Sequence, residues 1–192
     1  MSKPDKRSEI LSAALDLIAE HGFHGAPMSM IAGRAKVAAG TIYCYFESKD
    51  TLIMELYREI EGRILAVIVE ECEDERPLRE RFVNLFTKLL GYFTEHSLEF
   101  RFVEQFHNSP YGAEHRRDKI LGKPGDHDVF RQLFEQGVSQ GIIKDLPLVI
   151  LFSLAFGPLL AVVRDHVLGF IQLENGLIET IAASCWDAIK RQ

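Results

Sequence analysis

The sequence predicts an all-α protein of about nine helices, and three features carry that prediction. Apolar residues recur at i, i+3 and i+4 through most of the chain, the spacing that lines one face of a helix with 3.6 residues per turn. Nowhere do apolar and polar residues alternate for long with the period of two that a half-buried strand requires. Glycine and proline fall between the periodic stretches, as at Gly22, Gly25-Ala26-Pro27, Pro77, Gly141 and Pro147, where a helix has to stop or start.

The first helix spans about Lys6 to His21, with Ile10, Leu11, Ala14, Leu15, Leu17 and Ile18 as its inward stripe and Gly22 as the glycine that ends it. Lys3, Lys6 and Arg7 make a short basic arm at its start, suited to a phosphate contact. After the Gly25-Ala26-Pro27 loop, two short helices follow with a tight turn between them. Ser29–Ala35 has Ser29 as N-cap and Met30, Ile31 and Ala35 at helical spacing. Ala39–Glu47 turns Ile42 and Phe46 inward and leaves Thr41, Tyr43, Cys44 and Tyr45 outside or at the edges. Small residues in the turn let such helices cross closely, and polar side chains on the second can enter a DNA groove. Lys49 follows, placed to meet a phosphate.

Taken with Ile10, Ala14, Leu15 and Gly22-Phe23, the run Ile31-Ala32…Val37-Ala38-Ala39-Gly40-Thr41-Ile42-Tyr43-Cys44-Tyr45-Phe46…Lys49…Leu52 resembles the N-terminal domain of TetR-family transcriptional regulators. The G-T-[IL]-Y-x-[YH]-F core with its trailing lysine is specific to that family among helix-turn-helix proteins. The resemblance implies DNA contacts from Ser29, Ala39, Gly40, Thr41, Tyr43, Cys44, Tyr45 and Lys49. Hydroxyls and a lysine would hold phosphates, and the start of the second helix would read base edges. Four positions depart from the family pattern. Lys36 stands where glycine is usual, Ala38 where a serine or threonine cap is usual, and Ala39 and Cys44 where polar or basic residues are common. A missing cap typically costs ~1 kcal/mol of helix stability.

Beyond the turn, Ser48 can cap a long helix to about Cys72, with Asp50 in its first turn and Leu52, Ile53, Leu56, Ile60, Ile64, Val67 and Ile68 on one face. The acidic stretch Glu70–Glu75 and Pro77 separate it from an amphipathic helix, Pro77–Glu95. A short helix, Leu98–His107, carries Phe100, Phe102 and Phe106. Asn108–Gly125 reads as loop with one polar helix around Glu114–Leu121, and Asp126 can cap Val129–Gln140. The last two helices, Pro147–Leu168 and Leu173–Lys190, are the most apolar. The segment Leu146–Val163 is uncharged over 18 residues but is interrupted by Gly157-Pro158 and bounded by Asp145 and Arg164, the pattern of a buried helix rather than a membrane span.

Composition fits this organisation. The 192 residues are 47% hydrophobic and 26% charged, as in a soluble protein with a substantial core. Residues 1–50 hold six basic and six acidic side chains, so the formal net charge of −6 lies in residues 51–192. That balance argues against a general nucleic-acid-coating protein and is compatible with a neutral DNA-binding head on an acidic body. The division expected is 1–50 for the head and 51–192 for an effector-binding and dimerisation domain. Cys44, Cys72 and Cys185 are too far apart in sequence to suggest a disulfide framework or a zinc site, and the amino-terminal stretch lacks a signal-peptide core, so a cytoplasmic protein without metal or cofactor is expected.

Two further expectations concern the body. Thirteen phenylalanines are many for one chain. A cavity lined by Phe86, Phe93, Phe106, Phe130, Phe134 and Phe156, with Arg101, His107 and Tyr111 as polar anchors, would take a small apolar or aromatic effector. The apolar carboxy-terminal helices would pair two copies through Leu151, Leu154, Leu159, Val163, Leu177, Ile181 and Cys185, placing two heads one DNA turn apart, ~34–36 Å, on an inverted-repeat operator. The reading is therefore a homodimeric repressor of transcription binding double-stranded DNA, not an enzyme. Gly137-Val138-Ser139-Gln140-Gly141 matches the hydrolase pattern G-x-S-x-G, but that motif requires a strand-to-helix turn and this one ends a helix. The competing class is an all-α ligand-binding or interaction module that has lost specific DNA binding.

Overall fold

The structure, a computed structural model, describes residues 5–69, 76–121 and 128–192, with residues 119–121 by backbone alone. Lys3, Glu70–Glu75, Cys72, Gly122, Pro124, Gly125, Asp126 and His127 lie outside the described residues. Within them the chain forms α1 (Lys6–Gly25), α2 (Met28–Arg34), α3 (Ala39–Tyr45), α4 (Lys49–Val69), α5 (Leu78–Glu95), α6 (Ser97–His107), α7 (Pro110–Leu121), α8 (Val129–Ser139), α9 (Leu148–Val167) and α10 (Asn175–Ile189). The all-α expectation holds, with ten helices rather than about nine. The β geometry among the described residues is an isolated bridge between Ile143 and Lys190.

Two compact units emerge from the contacts within the chain. The first comprises residues up to Arg63 together with Leu98–Ala113. Its core is the apolar stripe of α1 (Ile10, Ala14, Leu17, Ile18) against Ile31 of α2, Ile42 of α3 and Leu52, Ile53, Leu56 and Ile60 of α4, all buried. Gly22 adopts φ 73°, a left-handed conformation open to glycine, and α1 kinks there before one more turn to Gly25. Arg7, expected in the basic arm, instead clamps α1 to α4: its guanidinium bonds Glu55 at 2.6 Å and Glu59 at 2.5 Å and lies over the Phe46 ring. The fork geometry of a guanidinium suits two carboxylates one helical turn apart. Arg63 similarly joins α4 to the buried Glu99 of α6 at 2.9 Å.

The second unit comprises Ile64–Ser97 and Glu114–Gln192. Here α5 packs against α9 and α10, and α8 packs against α5 and α9. Asp128 caps α8, its carboxylate accepting from the backbone N–H of Phe130 and Arg131 at 3.1 and 2.9 Å. The Ile143–Lys190 bridge ties the segment after α8 to the end of α10 through Lys144 N–H to the Ile189 carbonyl and Arg191 N–H to the Ile142 carbonyl.

Some boundaries differ from the expected ones for local reasons. Ser29 lies inside α2, whose N-cap position is Pro27: the Pro27 carbonyl accepts the first helical bonds, from Met30 N–H at 2.9 Å and Ile31 N–H at 3.1 Å. The loop expected from Asn108 starts a helix at Pro110 instead. Ser109 Oγ, which donates to the Phe106 carbonyl at 2.6 Å, lies 3.4 Å from the Gly112 N–H, and the turn is closed tightly enough for α7 to begin. The apolar helix α9 is not a core helix of the protomer. It buries one stripe, Leu151, Ala155, Leu159 and Val163, and only 22% of its 18-residue apolar window is buried. By length and composition α9 alone among the described residues is apolar enough to cross a membrane.

Candidate DNA-binding face and effector core

The helix pair α2–α3 is built by the turn between them. Val37 N–H reaches the Ala32 carbonyl at 3.0 Å and Lys36 N–H the Gly33 carbonyl at 3.1 Å, the two bonds of a Schellman ending, in which the residue at Lys36 must be left-handed. Lys36 is, at φ 55°, among described non-glycine residues the one at positive φ. The glycine usual there in the family is thereby explained, and the lysine is accommodated at some cost. Ala38 occupies the N-cap of α3 without a side-chain bond to offer.

On α3, Ile42 and the following Phe46 are fully buried, which rotates the opposite face to the outside. Ala39, Gly40, Tyr43 and Cys44 fall on that face at i, i+3 and i+4 spacing and are all exposed, Tyr43 by 56%. Tyr45 is 38% exposed at the edge and Thr41 is half-buried on the flank. A Cβ added at Gly40 would meet nothing within 4 Å, so nothing in the protein itself demands glycine there. Ser29 is exposed at the start of α2. Cys44 keeps its thiol on its own helix, 3.7 Å from the Gly40 carbonyl.

Lys49 is placed differently from the free phosphate ligand its position suggested. Its ammonium donates to the Phe23 carbonyl, at the end of α1, and partial burial lowers its pKa below the usual lysine value. One of its three donors is thus engaged in holding α4 to α1. Ser48 caps α4 as expected, its Oγ accepting from Thr51 N–H at 3.1 Å. Asp50 accepts from the Tyr111 hydroxyl at 2.5 Å, which pushes that phenol up to about 12. Sequence reasoning missed this pair. The two residues are 61 apart in the chain, and no local pattern links the first turn of one helix to a tyrosine at the start of another.

The residues expected to line one effector cavity divide between the two units. Phe106, His107, Tyr111 and Arg101 belong to the first, where Phe106 stacks on Tyr57 at 3.9 Å and Arg101 and His107 are exposed. Phe86, Phe93, Phe130, Phe134 and Phe156 belong to the second. There Phe86, Phe130 and Phe156 meet at centroid distances of 4.9 to 5.8 Å, and Phe152 links Phe156 to Phe134. Phe82, not expected, sits at the centre, touching Phe86, Phe134 and Trp186. These rings pack against one another. Beside them lies a cleft of about 280 Å³ lined by Phe134, Glu135, Val138, Ser139, Leu146, Leu148 and Leu151.

Of the residues expected between two copies, Leu151, Leu159, Val163 and Cys185 are instead buried inside the protomer. They form the stripe by which α9 and α10 pack on each other and on α5, and the Cys185 thiol, near the Leu159 backbone, is pushed up to about 11 by burial. Ile181 is half-buried; Leu154 and Leu177 are exposed. Ser139 donates its hydroxyl to the Gln136 carbonyl at 2.8 Å at the end of α8, so the G-x-S-x-G match has helical geometry and not that of a nucleophile turn.

A compact helical head that crosses two short helices and presents the second to solvent defines the helix-turn-helix class of DNA-binding proteins. The chain belongs to the TetR family: residues 10–56 match the model for bacterial regulatory proteins of the tetR family, and residues 77–190 match the tetracyclin repressor-like C-terminal domain. It is similar to the fatty acid metabolism regulator protein of Bacillus subtilis strain 168, with 25% identity over 188 residues covering 94% of this chain and 96% of that one. Among solved structures, a putative TetR-family transcriptional regulator from Vibrio parahaemolyticus is 32% identical with a TM-score of 0.75, covering 98% of this chain and all of that chain, 100%. The regulator FadR of Bacillus subtilis in complex with stearoyl-CoA shares the fold at a TM-score of 0.73 and 20% identity, covering 94% and 95%. The protein is thus a transcriptional regulator with a helix-turn-helix DNA-binding domain.

Proposed function

We propose that this regulator is a cytoplasmic homodimeric repressor that binds an inverted-repeat operator and is released by a small apolar or aromatic effector. The observation that carries the DNA-binding part is the exposed face of α3, where Tyr43 stands out from a helix whose opposite side is fully buried. Tyr43, Tyr45, Thr41 and Ser29 are hydroxyl donors for phosphates, and Gly40 lets a backbone strand of DNA approach. Residues 1–50 supply this reading head, and residues 51–192 supply effector binding and dimerisation.

Support for the effector comes from the ring cluster around Phe86, Phe130, Phe134 and Phe156. The neighbouring cleft, at about 280 Å³, falls below the ~300–1,000 Å³ usual for ligand sites. The names of the relatives make long-chain acyl thioesters the first effectors to try. Because α4 contributes residues to both compact units, a shift in the body can alter the separation of two heads. An effector favouring the shifted state lowers operator affinity, since both heads no longer engage together.

Dimerisation is supported by the outer surface of α9 and α10, where Val149, Ile150, Leu154, Leu168 and Leu177 are exposed apolar side chains. A second copy would cover them. The test is fluorescence anisotropy of the protein with the DNA upstream of its own gene and with an unrelated duplex, at two salt concentrations. A preference of 10³-fold or more for one specific sequence, reduced by an acyl thioester, supports the reading. Equal binding to both duplexes that salt abolishes, followed by failure to enrich any sequence from a random pool, moves the assignment to an interaction module.

A further inference from the structure

The groove-facing surface of α3 has an unusual chemistry for a reader of bases. Side chains that discriminate bases by paired hydrogen bonds are Arg, Lys, Asn, Gln, Asp and Glu. None stands on the exposed face, which consists of Ala39, Gly40, Tyr43 and Cys44, with the exposed Ala38 just before it. Tyr43 offers a single hydroxyl, and the Cys44 thiol is turned to the Gly40 carbonyl. The nearby Arg34 lies on α2, 3.8 Å from Asp16, and Lys36 lies in the turn. What the face does present is a run of small apolar groups: two alanine methyls and the carbon and sulfur of a cysteine.

The base feature that best complements a small apolar group in the major groove is the C5 methyl of thymine; cytosine offers only a smaller C5–H at the same place, and the remaining edge positions are hydrogen-bond donors or acceptors. Placing alanine against a donor or acceptor would leave that group without a partner, which selects against the base. Building on the DNA-binding reading above, we propose that this protein reads its half-site chiefly through thymine methyls packed against Ala38, Ala39 and Cys44, and that these three residues determine its specificity. Discrimination then arises by shape and dehydration, while phosphate contacts from Tyr43, Tyr45, Thr41 and Ser29 set the register.

The experiment uses the full-length protein. The preferred operator is first obtained by selection from a random duplex pool. It is then synthesised with deoxyuridine replacing thymidine one position at a time, which keeps base pairing and removes only the methyl. The expected result is at least two thymines per half-site at which uracil weakens binding, by about fourfold for each methyl that is buried in the complex. In an Ala39→Gly variant, the penalty at one of those positions should vanish while the others persist. Circular dichroism of that variant establishes that the fold is intact. Specific binding that is indifferent to uracil at every half-site position overturns the proposal while leaving the regulator reading in place. A pool that yields no preferred sequence overturns both.

Discussion

Two residues of the helix-turn-helix put opposite demands on the backbone. Gly40 is exposed, helical and has open space where a Cβ would be. Gly40→Ala should therefore stabilise the protein by about 0.5 kcal/mol through helix propensity. It should also weaken operator binding by roughly ten- to a hundredfold, if the bare backbone hydrogen-bonds a phosphate. Thermal unfolding and anisotropy on the same variant check the opposite signs; equal or tighter binding would remove Gly40 from the interface. Lys36 is the converse case. Its left-handed backbone at φ 55° closes the Schellman turn, and a side chain there costs about 1–2 kcal/mol relative to glycine. Lys36→Gly should raise the denaturation midpoint accordingly, and an unchanged midpoint would show that the strain is absorbed elsewhere. The special backbone position of Lys36 was legible in the sequence because a short motif fixes it. Lys49 and Arg7 were less so: their charges suggested phosphate, while the structure engages them with the Phe23 carbonyl and with Glu55 and Glu59. Charge is visible in a sequence, but the partner brought near it by folding is not.

At the scale of elements, helices with a strong apolar period were placed to within a few residues, since burying one face dictates both the helix and its orientation. The segment Leu98–Ala113 was harder to assign. Phe106, with Arg101, His107 and Tyr111, was expected in an effector wall; the segment belongs to the same compact unit as α1–α3. There Phe23 contacts Phe102 and Tyr111 edge to face, and Tyr111 bonds Asp50. Long-range pairings of this kind leave no periodic trace. The Tyr111 bond has a testable pH signature. Because its folded-state pKa is about 12 against an ordinary value of 10.0, the native state holds the phenolic proton after the unfolded chain has released it. The contribution is complete below pH ~10 and is lost as pH rises from ~10 towards ~12. Tyr111→Phe should lower stability near neutral pH and flatten the alkaline decline, as urea titrations at pH 8, 10 and 11 would show. Gly112, next in the chain, has no room for a side chain: a Cβ would lie 2.2 Å from the Phe106 carbonyl oxygen and 2.5 Å from His107 Cα. Gly112→Ala should cost about 1–3 kcal/mol by forcing the start of α7 away from α6. A urea midpoint equal to that of the parent would mean that the turn gives way freely.

At the scale of the whole molecule, the apolar carboxy-terminal helices were expected to pair two copies, and the structure shows which of their residues face outward. Leu151, Leu159 and Val163 repeat every four or eight residues and make the inner stripe of α9; the outer stripe includes Leu154, with Leu177 on α10. A helix apolar on both sides offers no polar face by which sequence could tell inside from outside. The distinction now separates folding from assembly. Leu154→Glu combined with Leu177→Glu changes two exposed positions, so each protomer should keep its helix content. Charges placed on a face that must be covered by an identical face repel their own symmetry mates and are desolvated on pairing, so the pair should run as a monomer in analytical ultracentrifugation. Loss of the second head removes the avidity of the dimer, and operator affinity should fall by about 10²–10⁴-fold while weak binding to unrelated DNA persists. The control is Leu159→Ala on the inner stripe, which should lower unfolding stability by about 2–5 kcal/mol and leave a dimer at temperatures where the protein is folded. A glutamate pair that remains dimeric and binds its operator unchanged would place the interface elsewhere on the protomer.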